Sequence, residues 1–283
     1  MMEENTNAPT PASPVPRTAA GAARRGGRKS PWIVAILLLL VLALPAAYFT
    51  MPQYYAFTAL GDIVPMREIG VNASVHFVYV KEGIASSRYQ KYAVQREMPD
   101  AVFTRVDPSA VNDYDEMLDI GEELRNETIV HAVESVNELA SDAASEEQSD
   151  TRLDELIADT SNYYGDSIGL MLGIGLYEET RSTDCSHGGE LVIAGTGTLE
   201  ADHSVGSVGA IRDKLRTAEA QGVDLFFVPK DKLTFFYEGL SNEEEAELVK
   251  QELHLRLDVV PVSTLEEAIT YLEGLDPAET PLP

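Results

Sequence analysis

The 283-residue chain falls into stretches whose apolar residues recur with different periods. Pro31–Thr50 carries no charge, and Trp32 to Leu44 is an unbroken apolar run. About 20 such residues cross a bilayer as a helix. Over 71–80 the pattern alternates, with Val71, Ala73, Val75, Phe77 and Tyr79 on one face, and predicts a strand. Residues 102–106 predict another. Over 115–139, Met117, Ile120, Leu124, Val133 and Val136 recur at helical spacing among acidic residues, which predicts a long helix. Residues 141–150 are acidic, small and aperiodic, and read as the core of a linker over 141–160.

The C-terminal half alternates. A helix is expected from about Ser167 to Glu179, then a strand over 190–196. A second helix over 210–221 is stopped by Gly222. A buried strand over 224–228 ends at Pro229. Ser241-Asn-Glu-Glu244 and Ser263-Thr-Leu-Glu266 are capping boxes that open two more helices, with a strand over 255–262 between them. No repeat of 20–50 residues is present. The expected class is α+β, with α/β the alternative. The expected organisation is a disordered tail (1–30), a transmembrane helix (31–50) and a first part of the exterior fold (51–140). The acidic linker (141–160), a C-terminal domain (161–275) and a Pro-rich tail (276–283) follow.

Charge orients this plan. Arg17, Arg24, Arg25, Arg28 and Lys29 precede the apolar run, so the positive-inside rule places the N-terminus in the cytoplasm and the fold outside the cell membrane. A cleaved signal peptide competes with this reading. The leader is long for one, the 20-residue uncharged stretch Pro31–Thr50 exceeds the usual ~7–15 residues, and Pro45-Ala46-Ala47 is a weak cleavage site. A retained anchor is therefore expected. The chain carries −26, and the exterior part more still because the tail is basic. Such a surface repels phosphates, which argues against nucleic acid as a partner. Solubility accounts for the same charge. The single cysteine, Cys185, allows no intramolecular disulfide. Asn72-Ala-Ser and Asn126-Glu-Thr fit the glycosylation sequon.

Three residues could carry chemistry. Ser167 sits in Gly165-Asp166-Ser167-Ile168-Gly169, at the mouth of an apolar helix. Unpaired N–H groups at a helix start can stabilise an oxyanion, and small flanking residues let a substrate approach. The plainer account is a serine N-cap. Lys214, in Ile211-Arg-Asp-Lys-Leu-Arg216, acts as a base only if burial lowers its pKa. Otherwise it is a solvated helix residue. Thr196, at a strand end, could hold the amine, or could serve turn chemistry alone. The five histidines are scattered, and Asp184, His187 and Glu190 read as a polar loop rather than a metal site. No phosphate-cradling Gly-Lys-Ser/Thr loop occurs. No metal, nucleotide or other cofactor is expected.

These blocks, in this order, resemble the Lon peptidase domain. More closely, they resemble the membrane-anchored Lon-like proteases of Gram-positive bacteria, which usually carry a PDZ domain. Gly165-Asp-Ser-Ile-Gly-Leu170 resembles the family's Gly-Pro-Ser-Ala-Gly-Leu motif. Leu191-Val-Ile-Ala-Gly-Thr-Gly-Thr198 and Val205-Gly-Ser-Val-Gly-Ala-Ile-Arg-Asp-Lys214 resemble two further family segments. Gly222-Val-Asp-Leu-Phe-Phe-Val-Pro229 continues the likeness, and the helix over 115–139 resembles one early in the family fold. The resemblance implies a Lon-like proteolytic domain over 161–275, with Ser167 as nucleophile, Lys214 as general base and Thr196 bonded to the lysine. It implies an ATP-independent endopeptidase that cleaves exported peptides or proteins, and it leaves a homo-oligomer open. Asp184 falls where family members often have an acid. Asp166 and Ile168 replace the usual proline and alanine. The first puts charge beside the nucleophile, and the second is expected to narrow the cleft. Ala210 replaces a glycine, and no room exists for a PDZ domain. A catalytically silent Lon-like binding or scaffold module is the alternative these departures motivate.

Overall fold

The computed structural model describes residues 31–140, 146–230 and 239–275. The two expected tails and residues 141–145 of the expected linker lie outside the described residues. The chain divides into two units, Met1–Tyr48 and Phe49–Pro283. α1 (Pro31–Thr50), all but its last two residues in the first unit, is a 20-residue helix of mean hydropathy 2.6, long and apolar enough to cross a membrane. At a rise of ~1.5 Å per residue it spans about 30 Å, the thickness of the hydrocarbon layer.

The second unit is a mixed α/β fold. In chain order it contains β1 (Pro52–Pro65), a 3₁₀ turn (Met66–Ile69), β2 (His76–Ser87), α2 (Arg88–Glu97), β3 (Val102–Val106) and α3 (Ala110–Ala140). Then come α4 (Glu146–Asp159), α5 (Gly169–Arg181), β4 (Ile193–Gly195), α6 (Ile211–Ala220) and β5 (Leu225–Pro229). The series closes with α7 (Asn242–Leu253), β6 (Asp258–Val262) and α8 (Leu265–Glu273). The strands form one sheet in the order β3-β1-β2-β4-β5-β6. Its first half is antiparallel and its second half parallel.

Neighbouring residues feed opposite faces of this sheet, as the period of two demands. Phe77, Ile193 and Phe227 belong to one core with Ile129, Leu156, Leu170 and Leu265, under α3, α4, α5 and α8. Val78, Ala194 and Phe226 belong to a second core with Ile211, Leu215, Ala246 and Val249, under α6 and α7. Fully burying a Val, Leu, Ile or Phe among these contributes roughly 1.5–3 kcal/mol.

Several expectations need correcting. The alternation over 71–80 marks burial rather than a strand throughout. Val71, Ala73 and Val75 are buried, but 71–75 is a loop that folds back on the 3₁₀ turn through Met66 N–H to Val75 O (3.1 Å). The strand starts at His76. The expected linker contains α4, because Leu153, Leu156 and Ile157 stand at i, i+3 and i+4 and pack on the first core. Asp150, Asp154, Glu155 and Asp159 are exposed on its outer face. The expected strands over 190–196 and 255–262 are shorter, and the second cap is Thr264, which accepts from Glu267 N–H, rather than Ser263. The capping box at Ser241 and Glu244 is formed. In α3, Val133 and Val136 are buried, whereas Met117, Ile120 and Leu124 are 40–50% exposed.

Candidate active site

The turn before α5 is held from two sides. From α3, the buried Arg125 donates from Nη1 to Tyr163 O (2.6 Å), and Gly121 O accepts from Gly165 N–H (2.9 Å). Gly165 has φ +84°, the left-handed region that suits glycine. From the end of β4, Gly197 N–H and Thr196 Oγ1 donate to Ser167 O at 3.1 and 3.3 Å. Ser167 is half-buried and lies two residues ahead of α5, so it is not the helix cap.

The lysine comes from α6. Ile211, Lys214, Leu215 and Ala218 stand at i, i+3, i+4 and i+7, so the helical period turns Lys214 inward with three apolar residues. Lys214 is 5% exposed, and its Nζ donates to Oγ1 of the fully buried Thr196 at 2.9 Å. Burial pulls its pKa from 10.5 down to about 8, while the carboxylates of Asp166 and Glu82 partly oppose that shift. Burial pushes the Asp166 carboxyl up, against its own backbone N–H and Lys214, which pull it down.

Asp166, Ser167 and Lys214 line one cavity of about 910 Å³. Its other walls come from β1 and β2 (Phe57, Tyr79, Glu82), α3 (Leu124) and the loop Ser207–Ala210. Glu82 is fixed in place: its Oε1 accepts from Tyr164 Oη (2.5 Å) and its backbone carbonyl from Tyr114 Oη (3.1 Å). Burial and the Glu82 carboxylate push the Tyr164 hydroxyl up.

The structure therefore brings Ser167, Lys214, Thr196, Asp166 and Gly165 together. Gly169 belongs to the interior. A Cβ there would collide with Thr128 Oγ1 and approach Leu199 N to 2.6 Å, so the glycine serves packing. Ile168 is 4% exposed within the first core and does not line the cavity, so it does not narrow the cleft. Asp184 lies elsewhere. It accepts from Ser186 N, Ser186 Oγ and Gly188 N at 2.6–3.0 Å, which hold its carboxyl below the usual range, Ser186 most of all. It shapes its own loop. Among the described residues no group of three His, Cys, Asp or Glu could hold a metal ion. Burial and Glu178 push the Cys185 thiol up to about 12, which leaves it unreactive. Sequence reasoning missed Glu82, Arg125 and Tyr164. Arg125 alone left a trace, as a basic residue between Leu124 and Ile129 in an acidic helix.

No protein-family model matches the chain, and a search of curated proteins returns no significant match.

Proposed function

We propose that the second unit is an ATP-independent serine endopeptidase with a Ser167–Lys214 dyad, anchored by α1 and facing the cell exterior. The observation that carries this reading is the buried amine of Lys214, held by Thr196 and lowered to about 8, on the wall of the cavity that Ser167 also lines. Ser167 Oγ would attack the substrate carbonyl while Lys214 Nζ takes its proton. The amine would then pass that proton to the leaving amino group, and water would hydrolyse the acyl-enzyme. Gly169 and Leu170 N–H already donate to Asp166 O and Gly197 O. The oxyanion donors are therefore sought at Ser167 and Ile168 N–H. The likeness of the motifs to Lon-like proteases supports the same roles. Basic residues 17–29 ahead of α1 support a cytoplasmic N-terminus.

A fluorophosphonate probe tests the reading. Labelling of the full chain is expected to vanish in Ser167→Ala and to fall at least tenfold in Lys214→Ala. Folded wild-type protein that takes no label between pH 6 and 10 would sink it. That outcome would favour the silent module, for which Asp166 is the supporting observation. Its carboxylate on the cavity wall opposes both an oxyanion and a neutral lysine.

A further inference from the structure

α2 is at odds with the rest of the chain. The protein carries −26, yet the ten residues of α2 hold Arg88, Lys91 and Arg96 against a single acid, Glu97. At ~100° per residue, Arg88, Tyr92, Arg96 and Tyr89 fall on one arc of about 100°, with Glu97 outside it. Tyr89 and Tyr92 are 62% and 58% exposed, Arg96 is exposed and Arg88 half-buried. The other side of α2 is fastened to the sheet. Lys91 Nζ sits 4.2 Å from the Tyr55 ring centroid and 4.9 Å from that of Phe103. The outward tyrosines therefore serve no core.

Their place in the chain suggests what they face. α1 ends at Thr50, β1 begins at Pro52, and only Met51 lies between. Ser87, the N-cap of α2, is the register partner of Pro52. Paired strand residues lie ~5 Å apart at Cα, and two peptide units reach at most ~7 Å. Covalent and register distances alone thus keep Ser87 within about 12 Å of Thr50, both in the second unit. Exposed Arg105, the partner of Tyr55, adds charge at this end of the sheet, with Asp107 just beyond it.

We propose that the outer face of α2, formed by Arg88, Tyr89, Tyr92 and Arg96, rests on the headgroup layer of the bilayer that holds α1. Tyrosine suits that layer because its ring is apolar and its hydroxyl wet. Arginine suits the anionic phosphates, and an otherwise acidic domain would be repelled by them. The inference rests on α1 being a retained span.

The test uses the full chain in phosphatidylcholine vesicles with 0–40% phosphatidylglycerol and headgroup-quencher lipids. A fluorophore is placed at Tyr92→Cys or, as control, at Leu248→Cys on α7, both in a Cys185→Ser background. Quenching at position 92 is expected to exceed that at 248 at least threefold, to grow with phosphatidylglycerol, and to lose that growth in Arg88→Gln/Arg96→Gln. Equal quenching at the two positions, in protein that floats with the vesicles and resists carbonate, overturns the α2 contact alone. Protein that carbonate strips from the vesicles overturns the span and the contact together.

Discussion

A lysine base works only in its neutral form. With Lys214 lowered to about 8, the labelling rate of Ser167 is expected to climb through about pH 8 and level off above it. The Asp166 carboxylate favours the ammonium, so Asp166→Asn should move that climb to lower pH and speed labelling at pH 7. An unmoved profile would remove Asp166 from the electrostatics of the site. Stability follows the same group with a definite sign. Between pH 8 and 10.5 the unfolded chain holds more protons on this lysine than the folded one, so folding stability rises with pH there. Below pH 8 the burial of the charge is felt in full. Lys214→Met is expected to add about 2 kcal/mol at pH 7, net of the lost hydrogen bond. The gain should fade as pH rises towards 10.5, which denaturation in detergent at several pH values would show. Ser167, Thr196 and Lys214 were legible because each lies within a short local pattern. Glu82 was not, because what places it at the site is a hydrogen bond spanning 82 residues.

At the scale of elements, two backbone positions decide how the site is presented. Ala210, the N-cap of α6, has φ 60°, a left-handed conformation that costs a residue with a Cβ ~1–2 kcal/mol. Ala210→Gly is expected to raise stability by about 1 kcal/mol, or to leave it unchanged once glycine's greater unfolded-state freedom is counted. A loss of more than 1 kcal/mol in a melt would contradict this account. Gly169→Ala should cost at least ~2 kcal/mol, since its methyl would push α5 away from Thr128 and Leu199. The helices α5 and α6 were readable from sequence because apolar spacing and breakers agreed. α4 was not, because its acidic outer face outweighed three apolar residues in a short window. β1 also escaped. Its bulge at Leu60 and Gly61 interrupts the period of two, and only the sheet shows why. A side chain at Gly61 would strike Tyr79 O, and the freed N–H groups go to Asp100 and Thr217 instead.

For the whole molecule, the sheet ties residues 51–140 to the C-terminal part. Strands from 51–140 and from 161–275 share it, and Phe77 packs in one core with Phe227. Unfolding of the second unit is therefore expected as a single cooperative transition, the same by far-ultraviolet circular dichroism and by tyrosine fluorescence. Two separated transitions would mean that the halves fold independently. The tie itself is narrow. β4 has three residues, and it meets the twelve-residue β2 only at His76↔Ala194 and Phe77↔Gly195. Past that seam β2 runs on through Tyr79 to Glu82 with no β4 beside it, while after β4 the N–H groups of Thr196 and Gly197 bond to Phe227 O and Ser167 O. The cavity is thus a notch cut by a strand that stops early, at the place where the sheet changes from antiparallel to parallel. Open α/β sheets tend to receive ligands in the crevice beyond the carboxyl ends of their strands, and Thr196 stands just past that end of β4. The shortness of one strand, which no motif announces, makes the room in which the serine and the lysine face the same space.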